Sequence, residues 1–234
     1  PVMATQHLDL EEQEQLDQLK HFWKQYGNLI TWALIAVLAA FAGWNGYQYW
    51  QRSQSAQAAA LFDEFERIAA QGDLAKVDRV FGDMKDRFPG TTYAQQSGLM
   101  VARLQFEAGK LDAAKAALTW VADKSSDEAY QAIARLRLAS LHADARAFPE
   151  ALALLGEKYP PEFQPLVADR KGDILAMQAK PLEARAEYER AYQALGERSE
   201  YRRLVEIKLN ALGVDPRPAT TPAGAQGAAS EAGK

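Results

Sequence analysis

The chain has no cysteine among its 234 residues, so it can hold no disulfide framework, no thiolate metal site and no cysteine nucleophile. It has only three histidines: His7, His21 and His142. His142 has no second histidine three or four residues away, the spacing that would set two imidazoles on one helical face for a metal. A Gly-x-Ser-x-Gly elbow and a phosphate-binding P-loop are also absent. No catalytic, metal-ligating or cofactor-binding residue is therefore nominated, and an enzyme is not expected. There is no excess of positive charge either. The net charge is −4; residues 1–26 carry Lys20 and Lys24 against Asp9, Glu11, Glu12, Glu14 and Asp17, and residues 52–214 are nearly balanced. A nucleic-acid surface needs a basic patch, and none stands out.

Between Gln25 and Gln51 charge is missing altogether. The apolar centre runs LITWALIAVLAAFAGW from Leu29 to Trp44. As a helix the uncharged window reaches about 40 Å, more than the ~30 Å hydrocarbon core of a bilayer. Aromatic residues stand at both ends: Phe22, Trp23 and Tyr26 before the window, and Trp44, Tyr47, Tyr49 and Trp50 in its last turns. Amphipathic rings favour the headgroup level, so the pattern reads as a single membrane-spanning helix. Ala40-Phe41-Ala42 resembles a signal-peptidase site. The acidic region before it and the apolar character continuing to Trp50 favour an uncleaved anchor. Lys20 and Lys24 on one flank against Arg52 on the other lean toward a cytoplasmic N-terminus. Ahead of the span, Leu16, Leu19, Trp23 and Tyr26 mark an amphipathic helix.

Beyond the span the chain repeats itself. Four Gly- or Ala-centred turns recur at Gln71–Val77, Ala108–Ala114, Ala145–Ala151 and Gln178–Ala184. After each turn comes a small or β-branched anchor: Val77, Ala114, Ala151 and Ala184. Four residues on comes a bulky one: Phe81, Leu118, Leu155 and Tyr188. Small residues precede three of the turns at Ala102, Ala139 and Gly172, with Phe65 in that position of the first unit. This is the helix–turn–helix pattern of a tetratricopeptide-like (TPR-like) array, in which small residues let two helices cross closely and bulky ones fill the gap to the next pair. One hairpin cannot bury its apolar stripe alone, so at least three must stack. A last amphipathic stretch at Ser199–Leu212 is expected to cap the open end.

The expected fold is therefore all-α: one N-terminal transmembrane helix followed by a TPR-like solenoid of about four hairpins plus a capping helix. Four segments are expected: an acidic tail with an amphipathic helix (1–26), the span (27–51), the repeats (53–214) and a Pro/Ala/Gly-rich tail (215–234) that should be disordered. Such arrays bind partners on a concave face built from the first helix of each pair. The repeat register places Leu99, Arg103, Phe106, Leu136, Ser140, Asp169, Asp173 and Met177 there, a mixture suited to an extended peptide or partner helix.

With Gly43-Trp44 and Tyr49-Trp50 at the membrane exit, and Leu166 to Asp173 followed by Glu183-Ala-Arg185 in the last repeat, the chain resembles the YfgM family of inner-membrane proteins over roughly residues 8–214. The resemblance implies an ancillary subunit of the SecYEG translocon, with its N-terminus cytoplasmic and its repeats periplasmic. It also implies cooperation with a membrane-anchored foldase of the PpiD type, contact with newly exported unfolded clients, and a link to the RcsB response regulator. The alternative is a periplasmic holdase, or a scaffold for envelope assembly, not tied to the translocon.

Overall fold

A computed structural model describes the backbone of residues 10–217 and side chains from Lys20 onward. The expectations for residues 1–9 and 218–234, and for the side chains of Leu16 and Leu19, fall outside the described residues. Among the described residues the protein is all-helical, with nine α-helices, a single 3-10 turn and no strand. The helices are α1 (Leu10–Ala70), α2 (Leu74–Arg87), α3 (Thr92–Glu107), α4 (Leu111–Lys124), α5 (Glu128–Asp144), α6 (Phe148–Leu155), α7 (Gln164–Met177), α8 (Pro181–Ala194) and α9 (Glu200–Ala211). Contacts divide the chain into two units that part between Gln57 and Ala58.

In the first unit α1 runs without a break through the tail and the apolar window, because no proline occurs between Pro1 and Pro89 to interrupt it. Its apolar side chains face outward in every direction. Leu29 and Val37 are 69% and 65% exposed, and Trp32, Phe41 and Trp44 are comparably open. A core helix of a soluble protein hides such a surface, whereas lipid is the solvent that suits a helix exposed and apolar all round. An 18-residue stretch of it has a mean hydropathy of 1.6, and the helix is long and apolar enough to cross a membrane. Two of its polar side chains bond to their own helix: the Thr31 hydroxyl donates to the Gly27 carbonyl at 2.7 Å, and the Asn45 amide to the Phe41 carbonyl at 3.1 Å. Aromatic pairs mark the two ends, Phe22 with Tyr26 and Tyr47 with Trp50.

In the second unit the helices pair as hairpins, α3 with α4, α5 with α6 and α7 with α8, with α9 against α8, and the end of α1 shares its apolar cluster with α2. All four anchors, Val77, Ala114, Ala151 and Ala184, have no exposed surface. The bulky positions Phe81, Leu118, Leu155 and Tyr188 are each at most 5% exposed. Three apolar clusters succeed one another along the array, as expected where each hairpin touches only its neighbours. Gly172 shows why the crossings need small residues: a Cβ there would lie 2.5 Å from the Tyr188 ring.

Each turn contains a left-handed residue at the same repeat position: Gly72, Gly109, Arg146 and Ala179, with φ of 73°, 73°, 59° and 58°. In the last three, the next amide closes back on the preceding helix: Lys110 to Gln105, Ala147 to His142 and Lys180 to Leu175, at 2.8–3.0 Å. This is the hydrogen-bond pattern of a Schellman cap, which glycine adopts without strain and other residues do not.

Candidate protein-binding cleft

Helices α3 and α5 are the first members of adjacent hairpins, and a cleft of about 270 Å³ opens between them. Its apolar lining comes from Ala102, Phe106, Leu118 and Leu141; its polar lining comes from Arg103, Arg137, Ser140 and Asp144. Phe106 is 47% exposed, an aromatic ring left without full cover in the folded chain. Arg103 donates to Glu107 at 2.7 Å on the surface, which holds its guanidinium firmly in the charged form. The Ser140 hydroxyl donates to the Leu136 carbonyl, and Arg137 reaches the Leu99 carbonyl at 3.5 Å. An apolar floor with polar groups of both charges around it suits one apolar side chain of a peptide, with its backbone hydrogen-bonding to the walls.

The eight residues expected on this face separate into three groups. Arg103, Phe106 and Ser140 come together in the cleft. Leu136 is half-buried against the second core cluster, and Met177 is 51% exposed at the end of α7, outside the cleft lining. Leu99, Asp169 and Asp173 lie outside the cleft lining and make contacts within the array. Leu99 is only 8% exposed and belongs to the first core cluster.

Asp169 and Asp173 are engaged inside the array by the capping helix. The Lys208 ammonium donates to both Asp169 oxygens at 2.8 Å and to Asp173 Oδ1 at 2.7 Å. The Tyr201 hydroxyl donates to Asp169 at 2.6 Å and the Tyr188 hydroxyl to Asp173 at 2.9 Å. Arg170 stands 3.6 Å from Asp173. Burial and these phenol–carboxylate bonds push both tyrosines well above the usual phenol range. The cluster is a polar latch that sets the register of α9.

Arg137, Leu141 and Asp144 were not singled out from the sequence, although with Ser140 they show the i, i+3, i+4, i+7 spacing of one helical face. His142 is partly buried on α5, and burial lowers its pKa. Among the described residues no three His, Asp or Glu side chains gather as a metal site.

The fold is that of a TPR-like helical array, in a chain that also has one N-terminal helix long and apolar enough to cross a membrane. Residues 20–214 match the tetratricopeptide repeat-like domain family. The chain is 31% identical over 204 residues to a protein of Neisseria gonorrhoeae named ancillary SecYEG translocon subunit, covering 87% of this chain and 98% of that one. It is 29% identical over 203 residues to a Haemophilus influenzae protein of the same name, again covering 87% and 98%. The chain belongs to this family of TPR-like ancillary translocon subunits. No solved structure matches it.

Proposed function

We propose that the protein is a non-enzymatic ancillary subunit of the SecYEG translocon, and that its α3–α5 cleft receives an apolar side chain of an extended partner segment. The observation that carries this reading is Phe106, an aromatic ring left half-exposed over the apolar floor of a cleft between the first helices of two adjacent hairpins. The relatives' shared name supports the assignment to the translocon. The α1 span fits a single-pass inner-membrane protein. In this reading the N-terminus is cytoplasmic, on the side where a regulator such as RcsB acts, and the array is periplasmic. The partner in the cleft is a foldase of the PpiD type or a newly exported chain.

Photo-crosslinkers placed at Tyr49, Phe106 and Met177 of the full-length protein in native membranes test this. Translocon subunits are expected from Tyr49, and a foldase or exported clients from Phe106, with little from Met177. Loss of the Phe106 adducts in an Arg103→Glu or Leu141→Asp background would tie them to the cleft. Recovery of envelope-assembly proteins alone would overturn the translocon reading. The apolar cleft floor also favours a second reading, direct holding of unfolded clients. That reading requires the full-length protein to slow aggregation of a denatured client and Phe106→Ala to abolish the effect.

A further inference from the structure

On the α5 wall of the α3–α5 cleft stand two exposed charges, Arg137 and Asp144, and neither has an ion pair among the described residues. They are seven residues apart on one helix, which separates them by about 10 Å along its axis. Ser140 and Leu141 lie between them. The preceding repeat shows what is unusual about Asp144. Glu107 and Asp144 hold the same place, two residues before the left-handed Gly109 and Arg146. Four residues earlier stand Arg103 and Ser140. Arg103 closes on Glu107 at 2.7 Å, whereas the Ser140 hydroxyl donates to the Leu136 carbonyl and leaves Asp144 open. Asp144 is also the last residue of α5, where the helix dipole disfavours a negative charge. Arg137 makes one long bond, 3.5 Å to the Leu99 carbonyl, so most of its five donors stay free for a ligand. The apolar floor is therefore bracketed by an open positive charge on one side and an open negative charge on the other.

We infer that the cleft selects an extended polypeptide segment whose apolar anchor is flanked by an acidic residue on the Arg137 side and a basic residue on the Asp144 side. The inference rests on the peptide-binding reading of this cleft proposed above and adds the charge pattern of the ligand. In an extended chain the residues two before and two after an anchor point the same way as the anchor. At about 3.3 Å per residue they span ~13 Å, and long Glu and Lys side chains close the small excess over the spacing of the wall charges. A segment with two like charges sets one of them against its own sign on the wall. Either chain direction satisfies the pattern, because only the signs at the two ends are fixed. The wall charges are exposed, so they tune selection while the apolar anchor supplies most of the affinity.

Calorimetry on the full-length protein in detergent tests this with four blocked peptides that share a Thr-Leu-Thr centre and carry Glu and Lys, two Glu, two Lys or two Gln at the ends. At low salt the Glu/Lys peptide is expected to bind about fourfold more tightly than the other three, each exposed pair contributing about twofold. The preference should shrink toward none at about 0.5 M salt, where screening is strong. Arg137→Glu should transfer it to the Lys/Lys peptide, and Asp144→Lys to the Glu/Glu peptide. A variant that had merely unfolded loses binding and does not exchange one preference for another. Equal binding of all four peptides, all of it lost in Phe106→Ala, overturns the charge pattern and leaves the cleft as a peptide site. A preference unmoved by both wall variants does the same. No binding of any peptide at millimolar concentration overturns the pattern and the peptide-binding reading together.

Discussion

Replacing Lys208 with methionine keeps the length and apolar stem of the side chain and removes only its charge and three hydrogen bonds. The consequence follows from what surrounds it. The Lys208 ammonium is the closest cation to two carboxylates, one of them on Asp169, whose side chain is 1% exposed; Lys208 itself is 24% exposed. Surface screening therefore does little to soften the loss. Arg170, 3.6 Å from Asp173 and 40% exposed, compensates weakly for Asp173 and forms no pair with Asp169. Breaking a buried pair by removing one partner costs about 3–5 kcal/mol, most of it the stranded charge. Because each element of the array is held mainly by its neighbours, the loss should fall on α9 first and leave α3–α6 little changed. Hydrogen exchange read by mass spectrometry on the full-length protein should show protection of residues 200–211 falling ~10²–10³-fold, since about 1.4 kcal/mol is tenfold in an equilibrium. Adding Asp169→Asn to Lys208→Met should recover at least half of the loss by removing the stranded charge. A cost under about 1 kcal/mol, or no recovery in the double variant, would refute the view that the latch is a buried, mutually dependent set.

Three further outcomes follow from the geometry. Gly172→Ala sets a Cβ 2.5 Å from the Tyr188 ring and should lower stability by about 1–3 kcal/mol in urea titrations, with Tyr188→Leu partly rescuing it. Ala179→Gly and Arg146→Gly relieve a left-handed backbone at non-glycine residues and should each stabilise by about 1 kcal/mol, whereas Gly109→Ala at the equivalent turn should destabilise by a similar amount; matching signs at all three would contradict the turn assignment. Burial pushes the Tyr159 phenol up to about 12, and its hydroxyl donates to the Leu154 carbonyl. The folded value lies above the unfolded one near 10, so the stability it contributes is complete below about pH 10 and is lost as pH rises toward 12. Tyrosinate absorbance at 295 nm should show a late-titrating group that is missing in Tyr159→Phe.

The turn positions were legible because a repeat step is a property of the chain itself. Gly72 and Gly109 declare their left-handed turns in the sequence, while Arg146 and Ala179 adopt the same conformation with no local signal beyond the step that aligns them. The lining of the α3–α5 cleft was partly legible. Arg103, Phe106 and Ser140 follow from helical spacing, but the face on α5 is rotated by one residue, toward Arg137 and Asp144, relative to the one expected around Leu136.

The sequence by itself determined the membrane helix, the four hairpins and the buried anchors, because periodicity and apolar length act within a single helix and need no knowledge of its neighbours. Only the tertiary structure decided which charged residues are used internally. Asp169 and Asp173 look like part of the concave face until Lys208, 39 and 35 residues further on, is folded against them. Arg202 looks like any surface arginine until Tyr192 lies beneath it and no acceptor stands beside it. The physical reason is the same in both cases: a charge's role depends on how much water and which partners remain near it, and that is set by contacts distant in the chain.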